Sequence, residues 1–152
     1  VGSTSRDANY AQTCRQNASA LQEHTIEFMN EISQVDLLTQ MGQSDILAVP
    51  SDYEGYGIAY LEGFSAGLPC MATAHGAPPE FVTDGENGFL IEPGDTARLT
   101  SQLEALANNR SQLEEMSLKA RQTFTSHPTW PDSFSKVRDF LKTRIDTFNQ
   151  AD

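Results

Sequence analysis

Residues 45–73 leave few folds open. A short unbroken apolar run ends at Val49, a glycine-broken turn follows, and a helix-like stretch at 58–66 is stopped by Gly67 and Pro69 before a second apolar run, Cys70-Met71-Ala72-Thr73. Apolar runs without alternation mark strands buried on both faces, and a helix between two of them is the crossover that a parallel pair requires. Phe89-Leu90-Ile91, after the turn cluster Asp84-Gly85-Glu86-Asn87-Gly88, is a third such run. Thr25-Ile26-Glu27-Phe28 reads as a strand ahead of them, and Val1-Gly2 as the end of an earlier one.

Helices are expected between and after the strands. Residues 5–22 carry Tyr10, Cys14, Ala18 and Leu21 at helical spacing behind a Ser5 or Asp7 cap, and 35–41 form a helix ended by Gly42. A brief helical turn falls at 79–82; Asp95 caps a helix bearing Leu99, Leu103 and Leu106, and another covers 110–124. Ser126-His127-Pro128 breaks the chain before a last helix with Phe134, Val137, Leu141, Ile145 and Phe148 on one stripe and Phe140 beside it. The alternation predicts an α/β fold, a Rossmann-like parallel sheet covered by helices on both faces, with ligands bound beyond the carboxyl ends of the strands.

The turn after Val49 carries the chemistry. Glu54 and Glu62 flank Gly55-Tyr56-Gly57-Ile58, where a strand feeds a helix N-terminus. The first helical N–H groups lack partners and favour anions, so the turn suits phosphate. Carboxylates facing phosphate would repel it; flanking it, they accept hydrogen bonds from hydroxyl groups. With the helix starting near Gly57, Glu62 lies about 7 Å along its axis at ~1.5 Å per residue. Phosphate in the middle and hydroxyls at both ends describe a nucleotide sugar. Alone, a pair of glutamates at this spacing reads as a solvated loop acid and a surface helix position; the surrounding pattern decides otherwise.

That pattern, comprising Pro50-Ser51, Tyr53 to Gly57, Leu61-Glu62, Gly67-Leu68-Pro69, Ala72-Thr73, Gly76, Pro79-Glu80, Asp84-Gly85, Asn87 to Leu90 and Pro93-Gly94-Asp95, closely resembles the donor-binding domain of retaining GT-B glycosyltransferases of group 1. The resemblance implies that Glu54 bonds the donor sugar as the catalytic glutamate, that backbone N–H groups of Gly55, Tyr56, Gly57 and Ile58 meet sugar and diphosphate, and that Glu62 holds the ribose. The loop at 29–32 would contact the base. No cofactor and no metal are expected; the substrate is a nucleoside-diphosphate sugar. Departures are Gly76-Ala77 where paired glycines are common, and Gly63 in place of alanine, which costs about 1 kcal/mol of local helix stability. The resemblance further implies that the first strand of this domain, with its phosphate-neutralising arginine and lysine, and the N-terminal acceptor domain are missing here. Residues 1–129 would form a truncated donor-binding domain and 130–152 a C-terminal helix suited to pack on that absent partner.

Composition bounds the rest. At 152 residues one domain with a substantial core is expected. Ten basic against 21 acidic residues, a net charge of −11, argue against nucleic acid as a partner and give no support for docking on anionic lipid. Cys14 and Cys70 have no metal or redox spacing and sit in apolar context, as buried thiols in a reducing, cytoplasmic compartment. No apolar run is long enough for a transmembrane span, and no signal peptide is evident. His24, His75 and His127 are scattered, His24 before a strand, His127 as a break residue before proline; His75, in the loop after a strand, is within reach of the ligand edge. Asp-x-Asp, G-x-S-x-G and Walker motifs are absent. The sequence therefore reads as the donor-binding part of a retaining glycosyltransferase acting on an unidentified acceptor, inactive alone. The alternative is a non-catalytic nucleotide-sugar-binding or regulatory module on a degenerate GT-B fold; an epimerase or phosphorylase is disfavoured by the Glu54–Glu62 block.

Overall fold

The computed structural model describes residues 2–5, 7–21 and 26–149. Its centre is a parallel sheet of three strands in the order β1 (Leu47–Val49), β2 (Cys70–Thr73), β3 (Gly88–Ile91). Leu47 pairs with Cys70, and Cys70 with Gly88, so the strands run in step and finish together at Val49, Thr73 and Ile91. Six α-helices accompany it among the described residues: α1 (Ala8–Ser19), α2 (Gln34–Gly42), α3 (Ile58–Ala66), α4 (Thr96–Asn108), α5 (Arg110–Ser126) and α6 (Trp130–Asn149). A single 3-10 turn, Pro78–Glu80, stands where 79–82 was expected.

Side-chain alternation on the strands divides the core into two layers. Cys70 and Ala72 of β2 face α3, where they join Tyr60, Phe64, Val82 and Ala120. Met71, Phe89 and Ile91 face the other way, against Leu106 of α4 and Leu113 and Met116 of α5. Helices thus cover both faces, as the strand–helix alternation predicts. The α5 helix reaches from one layer to the other and ties down the end of α3: Ser117 Oγ donates to Gly67 O at 2.6 Å and Arg121 to Ser65 O at 3.0 Å. Gly63 has a packing reason, since a Cβ there would stand 2.8 Å from Leu47 Cδ2. Its absence lets α3 lie close on β1, which offsets the helix propensity given up.

Several expectations are corrected. Ile26, Glu27 and Phe28 form no strand; Thr25 lies outside the described residues. A strand needs a neighbouring ladder, and the one backbone bond described here joins Gly2 N to Asn30 O, 2.8 Å, beyond the segment. Gly2 is likewise not in a strand, while Val1 and His24 fall outside the described residues. Gly42 closes α2 from within, with Gln43 as its C-cap. Cys70 is buried, but Cys14 is only half-buried on α1. Burial pushes the Cys70 thiol well above its ordinary range. In α6 the exposure of the apolar stripe begins at Phe134 and not near Leu141: its large apolar side chains are 53% to 72% exposed. None of the described helices is long and apolar enough to cross a membrane.

Candidate active site

The turn at 50–57 leaves the carboxyl end of β1 and is stitched to the loop after β2. Glu54 N donates to His75 O (3.2 Å) and Ala77 N to Glu54 O (3.0 Å), a one-residue parallel bridge between Glu54 and Gly76 beyond the last ladder pairs. The approach demands glycine. Gly76 has φ +97, and a Cβ there would run into the Glu54 carbonyl oxygen. Ala74 N donates to Ile91 O (2.9 Å), so all three strand ends carry the loops of the site. Tyr60, fully buried, secures the first of them by donating its hydroxyl to Val49 O at 2.6 Å.

Gly57 makes the turn possible from the other side. It caps α3 in the left-handed region, φ 93, where a Cβ would crowd Tyr60 Cδ2 at 2.6 Å and Phe81 Cζ at 3.1 Å. No side chain caps α3; the Glu54 carboxylate instead holds the turn just before it, Oε1 accepting from Tyr56 N (3.3 Å) and Gly57 N (3.1 Å). The next two N–H groups, of Ile58 and Ala59, have no acceptor among the described residues. Two donors taken by a carboxylate and two left open make this helix start a place for anionic oxygen. Ser51 Oγ, just past β1, is buried with no hydrogen-bond partner.

Glu62 lies on the second turn of α3, half-buried, and its Oε1 accepts from Gln34 Nε2 at 2.8 Å. The structure therefore brings Glu54, Gly55, Tyr56, Gly57, Ile58 and Glu62 together along one turn and helix start. Sequence reasoning misses Gln34; it is the first residue of α2, right after the 29–32 loop, and no local signal marks a partner 28 residues away. His75 lies in the stitched loop with its ring turned to Glu92, Nε2 to Oε2 3.0 Å, both exposed. His127 does more than break a helix: its Nε2 is 3.2 Å from the Tyr56 hydroxyl. It helps line an apolar groove of about 720 Å³ beside the turn, with Tyr56, Ile58, Leu61, Pro128 and Trp130. No hydrogen bond or ion pair joins a lysine or arginine to Glu54, Glu62 or the turn among the described residues.

Known proteins resemble this chain in sequence and in fold. Residues 1–123 match the family model described as glycosyl transferases group 1. The sulfoquinovosyl transferase of Arabidopsis thaliana is 33% identical over 110 residues, covering 70% of this chain and 21% of that protein. The N-acetyl-alpha-D-glucosaminyl L-malate synthase of Bacillus anthracis is 31% identical over 83 residues, covering 55% and 22%. Among solved structures, Anabaena HepE in complex with UDP superposes with a TM-score of 0.79 at 21% identity, over 90% of this chain and 38% of that one. The chain thus spans between about a fifth and two-fifths of the length of these relatives. With a Rossmann-like parallel sheet, the glutamate-capped glycine turn at the end of β1 and a family match over residues 1–123, this chain belongs to the group 1 glycosyltransferases of GT-B fold.

Proposed function

We propose that this chain is the donor-binding part of a retaining glycosyltransferase that moves a sugar from a nucleoside-diphosphate sugar to an acceptor hydroxyl. One observation carries the reading: the start of α3 offers open N–H groups at Ile58 and Ala59 between two carboxylates, Glu54 before the helix and Glu62 within it. A diphosphate fits the N–H groups, while a hydroxyl on either side fits a carboxylate. In this reading Glu54 is the catalytic glutamate and accepts from the transferred sugar. Backbone groups of Gly55, Tyr56, Gly57 and Ile58 meet sugar and diphosphate, and Glu62 accepts from the ribose. That Anabaena HepE, a structural neighbour, was solved in complex with UDP supports a nucleotide-sugar donor.

Glu54 must release Tyr56 N and Gly57 N, wholly or in part, when a donor sugar arrives. The freed N–H groups then point at oxygens of the donor, where charge grows as the glycosidic bond breaks. The acceptor attacks from the face that the diphosphate leaves, and a diphosphate oxygen takes its proton; no side chain of this segment serves as nucleophile. Helix N–H groups and basic side chains meet the leaving charge, so no metal and no other cofactor is required. The basic groups belong to the first strand and loop of the donor-binding domain, the acceptor site to an N-terminal domain, and the exposed stripe of α6 is the surface that would pack on the latter. The segment 1–129 is then the donor-binding domain, 130–152 the connecting helix, and the isolated chain is inert. The protein works in the cytoplasm, where nucleotide sugars and free thiols such as Cys14 are at home.

Thermal-shift titration of the full-length protein with UDP-, GDP- and ADP-sugars tests the reading. One nucleotide class should raise Tm, and Glu62→Ala should shrink that shift at equal ligand concentration. No shift with any of the three, in a protein that is folded, would overturn it.

A further inference from the structure

Tyr56 is the only side-chain-bearing residue between the two glycines of the turn, and what holds it lies far along the chain. Its hydroxyl is 3.2 Å from Nε2 of His127, 71 residues later. His127 is itself fixed. It caps α5, donating its N–H to Phe124 O at 3.2 Å, and its backbone is extended (φ −66, ψ 132), as the following Pro128 requires. Its ring meets Phe81 edge-on at 6.1 Å and 77°. Phe81 is anchored on the core, T-shaped against Phe64 at 6.3 Å and tilted against Tyr60 at 6.5 Å.

The same Phe81 ring also limits Gly57, whose added Cβ would come within 3.1 Å of Cζ. Tyr56 is thus held by its hydroxyl at His127, and Phe81 leaves no room for a side chain on Gly57. Tyr56 and Gly57 are the two residues whose N–H groups the Glu54 carboxylate accepts. Gly55 and Gly57 impose little conformational restraint of their own, so the direction of these N–H groups depends on what grips the residue between them.

We infer that His127 is a positioning residue for the donor site: by holding the Tyr56 hydroxyl it sets the aim of the Tyr56 and Gly57 N–H groups and of Glu54. The inference rests on the reading of this turn as the site of donor sugar and diphosphate. Misalignment at a site of this kind falls on the chemical step more than on binding, because the donors must match the geometry of developing charge.

The experiment uses the full-length protein with whichever of UDP-glucose, GDP-mannose and ADP-glucose it turns over, measuring release of the nucleoside diphosphate. Tyr56→Phe removes one oxygen; His127→Phe keeps an aromatic ring against Phe81 and removes the nitrogen. Each should lower kcat about five- to twentyfold with donor KM within about twofold. The double variant should be no slower than the worse single one, since both break one interaction. His127→Gln, which keeps a terminal polar group near Nε2, should recover a large part of the loss. Should His127→Phe not fold, Tyr56→Phe, changed on a half-exposed side chain, decides the matter. Unchanged kcat in Tyr56→Phe, or losses that add in the double variant, would overturn the inference. Glu54→Ala and Glu62→Ala run alongside separate the two ideas. If they cripple the enzyme and Tyr56→Phe does not, only the tether fails; if they too are silent, the donor-site reading fails with it.

Discussion

Helices α3 and α6 are both rich in apolar side chains, yet they meet opposite fates. In α3, nine residues long, Tyr60 and Phe64 are fully buried and Gly63 lets the helix lie close on β1. In α6, twenty residues long, Ile145 is 59% and Phe148 72% exposed. An apolar stripe states that a helix has a face to bury; it does not state against what. For α3 the answer is local, a parallel strand on each side of it in sequence. For α6 there is no such partner among the described residues: α3 and α5 supply one core layer, α4 and α5 the other, and no α6 side chain joins either. What α6 keeps for itself is its start. Thr129 and Asp132 form a reciprocal cap, Thr129 N donating to Asp132 Oδ2 at 3.0 Å and Asp132 N to Thr129 Oγ1 at 3.4 Å.

The sharpest way to break this contrast is to truncate one aromatic on each helix. In urea unfolding of this chain, Phe64→Ala should lose about 3–5 kcal/mol, the cost of a cavity in a closed core. Phe148→Ala should change stability by less than about 0.5 kcal/mol, as at an exposed site. Comparable losses would mean that α6 is packed after all. Repeating Phe148→Ala in the full-length protein sharpens the point, because a helix seated on a second domain would lose about 1.5 kcal/mol or more.

A smaller effect tests the stitching that holds Glu54 in place. Gly76→Ala combines a left-handed backbone with a collision at the Glu54 carbonyl and should lose about 1–3 kcal/mol. Gly94→Ala shares the positive φ, 78, but has open space around it, so only about 1 kcal/mol should be lost. Equal losses at the two positions would show that the Glu54–Gly76 approach is not tight.

Smallest is the acid response of the α6 cap. Hydrogen bonds from Thr129 hold the Asp132 carboxyl below its ordinary range. A depressed value in the folded state contributes stability above the unfolded value, and that contribution disappears as pH falls through the folded value. Far-UV circular dichroism should therefore show a slight helix loss in the acid range, absent from Asp132→Asn. An identical acid response in both proteins would count against the cap.

Much of this molecule is legible in its amino-acid sequence, for reasons that also mark the limit. The runs at 46–49, 70–73 and 89–91 read as strands because nothing charged interrupts them, but burial on both faces fails at β1, which lies at the sheet edge with Ala48 exposed. Glu54, Glu62 and the glycines between them are legible because a strand end, a turn and a helix start are contiguous in sequence. Residues 26–28 mislead because Ile-Glu-Phe has the composition of a strand, whereas a strand is made by its partner. Gln34 beside Glu62 and His127 beside Tyr56 leave no trace: each pair is joined only by folding, across 28 and 71 residues.

The two carboxylates differ in the same spirit as the two helices, Glu54 engaged by its own turn and Glu62 by a side chain from α2. Steady-state kinetics of Glu54→Ala and Glu62→Ala in the full-length protein, with donor varied, test the central claim most directly. Glu54→Ala should lower kcat roughly 100-fold with little change in donor KM, because its partner is the sugar that moves. Glu62→Ala should raise donor KM about tenfold and leave kcat nearly intact, because a ribose contact is alike in ground and transition states. Equal losses confined to KM in both variants would contradict the account.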